Sequence, residues 1–285
     1  MTDQAIQIDP EYDLYNNRGL SYAELGDYKR AIQDYDQAIQ IDPQEAVVYS
    51  NRGHTYAKLG NHERAIQDYD QAIEINPQYA GAYNDRGVSY SGLGDNQHAI
   101  QDYNQAIQID PEYAGAYVNR GRIYALLGDY QRAIQDYNQT IQIDPQYAGI
   151  AYYHRGKAYN NLEQFDLAIT DYSMAIQLNP QYAESYYNRG NIYNHLEKYD
   201  LAIADYSIAI QLNPQDAKSY HSRGSAYFNL TQYNQALDDF SKVVKLDPQN
   251  VNVYAIRSIT YCLLGKTAEC KTDQKKYDEL IKQKP

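Results

Sequence analysis

Apolar positions along the 285 residues recur at three- and four-residue spacing, in short runs separated by polar turns. Between Tyr49 and Pro77, one run is Tyr49, Gly53, Tyr56 and Leu59, and the next is Ala65, Ile66, Tyr69, Ala72 and Ile73. This spacing predicts two amphipathic helices joined at Leu59-Gly60-Asn61, where glycine frees the backbone for a helix exit. The small residues Gly53 and Ala65 let the two helices approach closely, and Asn76-Pro77 stops the second because proline disfavours a helical residue before it. The pattern then returns. Pro43, Pro77, Pro111, Pro145, Pro180, Pro214 and Pro248 are spaced by 34, 34, 34, 35, 34 and 34 residues, which marks a tandem array.

Within each unit an aromatic, a glycine and a second aromatic on the first helix precede an alanine, an aromatic and an alanine on the second, then a proline. In the quoted unit these are Tyr49, Gly53, Tyr56, Ala65, Tyr69, Ala72 and Pro77. The series resembles the tetratricopeptide repeat, with tyrosine in place of the usual tryptophan. The resemblance implies an all-α fold, a right-handed α-solenoid (superhelix) of stacked antiparallel helix pairs. It divides the chain into a partial helix from a preceding repeat over 1–11, seven repeats over 12–250, and a degenerate eighth repeat with a capping helix over 251–285. Residues Gln4 to Pro10 repeat Gln37 to Pro43, so the chain opens inside a second helix, as a segment of a longer array or as a poorly capped first repeat. One extra residue near Gly149-Ile150 predicts a local offset between the fourth and fifth repeats. The last unit has Ser258 for glycine, Tyr277 for alanine and no closing proline, and it carries Lys271, Lys275, Lys276 and Lys282, as a solvent-facing cap should.

One feature departs from apolar patterning. Arg18, Arg52, Arg86, Arg120, Arg155, Arg189, Arg223 and Arg257 occupy the seventh place of their units, on the apolar stripe. Asp34, Asp68, Asp102, Asp136, Asp171, Asp205, Asp239 and Asp273 occupy the twenty-third. The turn lies midway, so both partners stand about 12 Å from it along antiparallel helices. This predicts a ladder of arginine–carboxylate bridges, within a repeat or across to the next, because a charge on a core stripe is costly unless paired. Recurrence in every unit argues for a structural device over a ligand site.

Composition adds constraints. Tyrosine appears 34 times, phenylalanine three times and tryptophan not at all, so tyrosine supplies the aromatic packing. A formal charge of −12 argues against nucleic acid, whose affinity comes from lysine and arginine, and favours a neutral or basic partner. No export signal or apolar run long enough for a membrane span is present, which predicts a soluble, cytoplasmic chain without membrane attachment. Cys262 and Cys270 are too few for a disulfide framework and match no zinc spacing, and read as reduced core thiols. The six histidines are scattered, and Gly265-Lys266-Thr267 lacks the rest of a phosphate loop and reads as an inter-helix turn. No catalytic, metal or cofactor site is expected, and the chain is read as a non-enzyme.

The resemblance further implies that first helices line a concave face that receives another protein or a peptide. On that face lie Asn17, Asn51, Asn119, Tyr153, Lys157, Asn161, Tyr187, Asn188, Asn191, His195, His221 and Phe228, with the aromatic and amide side chains concentrated in the later repeats. The asparagines beside the arginines form a series broken by Asp85, His154 and Ser222, and this series resembles the one lining the superhelix of O-linked N-acetylglucosamine transferases. The basic set that grips chaperone tails is not found in phase. A second expectation is end-to-end self-association into a homo-oligomer through the exposed face of the first unit.

Overall fold

The structure is a computed structural model that describes residues 11–282. It forms two compact units, residues 1–147 and 148–285. The predicted partial helix over 1–11 falls, but for its last residue, outside the described residues. Unit 1 contains α1 (Glu11–Glu24), α2 (Tyr28–Ile41), α3 (Ala46–Lys58), α4 (His62–Ile75), α5 (Ala80–Gly92), α6 (Asn96–Ile109), α7 (Ala114–Leu126) and α8 (Tyr130–Ile143). The helices assigned to unit 2 are α9 (Pro145–Asn161), α10 (Phe165–Leu178), α11 (Ala183–His195), α12 (Tyr199–Leu212), α13 (Ala217–Asn229), α14 (Tyr233–Leu246), α15 (Val251–Leu263) and α16 (Thr267–Lys282). No strand occurs among the described residues, and the fold is all-α.

Packing follows the periodic positions. The second helix of each of the first seven pairs points one aromatic ring at a glycine of the first. A Cβ on Gly53 would come within 3.0 Å of the Tyr69 ring, and one on Gly87 within 2.8 Å of the Tyr103 ring. Tyr35, Tyr69, Tyr103, Tyr137, Tyr172, Tyr206 and Phe240 are the largest fully buried side chains, and Ala31, Ala65, Ala99, Ala133, Ala168, Ala202 and Ala236 are buried beside them. The last pair explains its own departure from this rule. Gln274 stands at the aromatic place, so no ring needs the space, and Ser258 replaces the glycine and donates to the Cys270 carbonyl at 3.0 Å.

The eight predicted charge pairs all meet. Each guanidinium donates twice to the carboxylate across its own helix pair, Nε to Oδ2 and Nη2 to Oδ1, at 2.6 to 2.9 Å. A third bond, from Nη1, reaches back to the second helix of the preceding pair. Arg52, Arg86 and Arg120 donate to Asp36, Asp70 and Asn104 at 2.6 Å. Arg189, Arg223 and Arg257 donate to the hydroxyls of Ser173, Ser207 and Ser241. Each guanidinium also lies over the ring of the tyrosine three residues earlier, 5.1 to 5.9 Å from its centroid. Side-chain exposure of 17% for Arg120 and 6% for Asp136 shows that the charge is held inside and does not reach out to bulk water. Burial pushes the Asp68, Asp136 and Asp239 carboxyls up, against the opposing pull of their guanidiniums.

Local turn chemistry separates the units. In unit 1 the turn glycine has positive φ, 77° at Gly60, and the next residue caps the second helix: Asp27, Asn61, Asp95 and Asp129 each accept a backbone N–H three residues on. In unit 2 the corresponding left-handed positions of the first three hairpins are Glu163, Glu197 and Thr231, with φ of 57°, 57° and 60°, and glycine returns only in the last, Gly265, at 72°. The N-cap residues there, Gln164, Lys198 and Gln232, make no side-chain cap bond. Second helices end on an Asx turn, as where Asp42 accepts from the Gln44 N–H at 2.9 Å, because the intervening proline has no N–H to give. The extra residue near Gly149-Ile150 is taken up within α9, which begins at Pro145 and runs 17 residues, against 13 for α3, α5 and α7. Proline suits that first helical position because its missing N–H has no partner to lose there.

The cysteines differ from the sequence expectation. Cys262 and Cys270 form a disulfide across the last hairpin, with Cys262 exposed and neither cysteine buried in the core. Cys262 lies in the last turn of α15, while Cys270 takes the place that alanine holds in the other seven pairs, so the helix crossing brings the two Cα atoms to 5.4 Å.

Three outcomes follow from this packing. Asp136→Ala leaves the partly buried Arg120 unpaired and lowers unfolding free energy in urea by about 3 kcal/mol, whereas Asp70→Ala, half-exposed at its carboxylate, costs less than about 1 kcal/mol; equal costs would refute the assigned roles. Thr231→Gly relieves a β-branched residue in left-handed backbone and raises stability by roughly 0.5 to 1 kcal/mol, read as a higher urea midpoint. Removing the disulfide with Cys262→Ser and Cys270→Ala weakens the last hairpin by about 2 to 3 kcal/mol, seen as faster hydrogen exchange in α16 with α11 and α12 unchanged.

Candidate functional site

The fifth, sixth and ninth repeat places of the first helices share one face, the fifth and sixth each about one turn from the ninth. In unit 2 that face carries a cleft of ≈ 330 Å³ lined by Tyr153, Lys157, Glu184, Tyr187, Asn188, Asn213, Asp216, Lys218 and Ser219, with two alanines. A second cleft of ≈ 380 Å³ shares Tyr187, Asp216 and Lys218 with it and adds Ala217, His221, Ser222, Asp247, Asn250 and Asn252. The two therefore run on as one surface across α11, α13 and the start of α15.

Of the residues expected on this face, the clefts bring together Tyr153, Lys157, Tyr187, Asn188 and His221. Tyr153 is 8% exposed and packs with Ala168, Tyr172, Ala175 and Ile192, so most of the ring is core. Its hydroxyl accepts from Asn188 Nδ2 at 3.3 Å, and Lys157 Nζ lies 5.7 Å from the ring centroid. Burial pushes the Tyr153 phenol up. Tyr187 is half-buried, its ring 5.9 Å from that of Tyr206. His221 packs 5.9 Å from the Phe240 ring, and burial alone pulls its imidazole below the ordinary value.

Other expected residues stand outside both clefts. Asn191 accepts from the Tyr206 hydroxyl at 2.8 Å, Asn161 donates to the Lys157 carbonyl at 2.8 Å, His195 packs 4.9 Å from Phe165, and Phe228 packs 5.4 Å from Tyr233. In unit 1, Asn51 donates to Asn16 at 2.9 Å and Asn119 to Asn84 at 3.0 Å, each across one repeat, while Asn17 is exposed.

Sequence reasoning missed Asn213, Asp216 and Lys218. They come from the junction between a second helix and the next first helix, where Asp216 caps α13 by accepting from the Lys218 and Ser219 backbone N–H groups. The Asn-Pro or Asp-Pro that closes each of the first seven repeats was the available signal, because the chain after it must pass the rim of the face. Among the described residues no helix is long and apolar enough to cross a membrane.

Comparisons with known proteins agree with the repeat phase. A family profile described as TPR repeat matches residues 19–60, 91–128 and 156–196. A second, described as Tetratricopeptide repeat, matches 46–79, 114–147, 183–216 and 217–250. No curated protein matches the sequence. Among solved structures, the chain is similar to the APC/C hetero-tetramer Cut9-Hcn1, at 17% identity and TM-score 0.61 over 90% of this chain; it spans 50% of that chain. It is also similar to a tetratricopeptide repeat protein from Parabacteroides merdae, at 20% identity and TM-score 0.62 over 87% of this chain and 98% of that one. A third is YrrB, described as a TPR protein with an unusual peptide-binding site, at 22% identity and TM-score 0.57 over 66% and 97%. With paired helices, aromatic-on-glycine packing and profile matches all in one register over most of its length, the chain belongs to the tetratricopeptide repeat family.

Proposed function

We propose that the chain is a protein-interaction scaffold that holds a neutral or basic peptide, or an extended segment of another protein, along the first-helix face of unit 2. The observation that carries this reading is the joined pair of clefts, in which aromatic area, amides and both charge signs converge on Tyr187, Asn188, Asp216 and Lys218. Tyrosine offers contact area at low entropic cost, and amides can bond a peptide backbone whatever its sequence. The charge of −12 favours a partner that is not itself acidic. Repeat proteins of this family bind other proteins or peptides, and the fold is typically a non-catalytic scaffold.

A random peptide library displayed against the full-length chain tests the assignment. Selected peptides should bind Tyr187→Ala at least tenfold more weakly than the unaltered chain, because truncating a central aromatic typically costs more than about 1.4 kcal/mol. Gln211→Ala, exposed on α12, should bind them normally. Selected peptides that hold to Tyr187→Ala with undiminished affinity would remove unit 2 as the site.

A further inference from the structure

We infer that Asp85, in unit 1, is the floor of a subsite for a cationic side chain, lysine or arginine, of a bound peptide. The inference rests on the peptide-binding reading above but concerns a different unit, so each can fail alone.

The sixth place of the repeat holds an amide donor in three bonded instances: Asn51 gives its Nδ2 to Asn16, Asn119 to Asn84 and Asn188 to Tyr153. Asp85 stands at the same place on α5 and has no proton to give. It accepts instead, and from its own helix neighbour, with Asn84 Nδ2 donating to Asp85 Oδ1 at 3.0 Å. Because Asn84 in turn accepts from Asn119, two amide dipoles line up head to tail and end on the carboxylate. An ionised carboxylate offers about four lone-pair sites, and one is used. No described residue forms an ion pair with Asp85.

Asp85 opens on a cleft of ≈ 340 Å³ whose walls include Ala57, Val88 and the Tyr69 ring. Such walls suit the methylene stem of lysine or arginine, while the floor meets its charged head. Burial pushes the Asp85 carboxyl up, so its charge is short of solvation that an incoming cation would replace.

Other titratable groups face the cleft from two helices. Lys58 and His54 come from α3 and His62 and Tyr69 from α4, while the phenols of Tyr103 on α6 and Tyr113, just before α7, also feel the Asp85 charge. Lys58 is the one permanent cation among them. It is exposed in the last turn of α3 and acts on Asp85 through space without bonding it. A cation in hydrogen-bond contact outcompetes one acting at that range, since charge-assisted bonds are roughly twice as strong as neutral ones and fall off quickly with distance. A ligand carbonyl that could accept from the asparagine found at this place elsewhere meets no donor at the Asp85 carboxylate, whereas a cation gains both hydrogen bonds and charge neutralisation, which is why the occupant is read as charged.

The test is a titration of the ¹⁵N-labelled full-length chain at neutral pH with acetyl-Gly-Lys-Gly-amide and its arginine, glutamine and glutamate counterparts. Saturating shifts are expected at the amides of Asn84, Asp85 and Val88, with the lysine and arginine probes binding at least tenfold more tightly than the glutamine probe. Asp85→Asn should abolish that preference while leaving the remaining spectrum in place, because asparagine is the residue at this position in neighbouring repeats. Lys58→Gln should strengthen lysine binding by removing a competing charge. Equal affinity for lysine and glutamine probes, preference for glutamate, or a lysine preference that survives Asp85→Asn would each overturn the assignment. Tyr187→Ala leaves this readout unchanged, so loss of the unit 2 site would not be mistaken for loss of this one.

Discussion

The arginine fork is the constraint around which the helix pairs are arranged. A planar guanidinium that bonds one carboxylate through two parallel N–H groups can do so in only one orientation, so Arg120 and Asp136 set the level at which α7 and α8 stand. The third N–H then reaches Asn104 on α6, which carries the register from one pair to the next. Apolar packing alone would be less selective. Tyrosine and alanine stripes repeat every turn, and sliding one helix by a turn would bring similar residues together. A buried ion pair adds little net stability compared with apolar residues, but a misaligned one leaves a charge without solvent or partner. The tyrosine rings on the glycines hold the pairs together, and the arginines decide where they sit.

The same scaffold is tuned differently in its two units. In unit 1 the turns have glycine at positive φ followed by a capping Asp or Asn, and the third arm of the fork ends on Asp36, Asp70 or Asn104. In the first three hairpins of unit 2 the turns place Glu163, Glu197 and Thr231 in left-handed backbone and the helices that follow them start without side-chain caps, and serine hydroxyls receive the third arm of Arg189, Arg223 and Arg257. Formation of α10, α12 and α14 therefore leans more on tertiary contact and less on local signals than that of α2, α4, α6 and α8. The first-helix faces diverge as well. Unit 2 offers tyrosine and a broad double cleft, whereas unit 1 offers histidines, amides and the single carboxylate of Asp85.

Side-chain length and the crossing of successive pairs account for what was hard to foresee at the candidate site. Tyr153 and Asn16 hold equivalent places, yet the tyrosine is long enough to lay its ring into the core beside Tyr172 and show little more than its edge to the cleft. Asn191 is spaced like a groove residue, but its carbonyl is taken by the Tyr206 hydroxyl beneath it. Asp216 and Lys218 escaped notice because they sit in a junction, where the surface exists only once one pair is laid against the next. The cysteines are a parallel case. Eight residues apart on either side of a turn, they become neighbours because antiparallel helices fold Cys270 back over Cys262.

The sequence by itself determined the helix pairs, their register, the family and the level at which arginine and aspartate face each other. Those depend on the 3.6-residue period and on distance from a turn, which are properties of the local chain. Tertiary structure alone decided that each bridge closes within its own helix pair, the third acceptor of each fork, the burial of Tyr153, the disulfide, and the hydrogen-bond chain from Asn119 through Asn84 to Asp85. Each of these depends on the separation and angle between helices from different parts of the chain, and those emerge only when the side chains of neighbouring pairs compete for the same space.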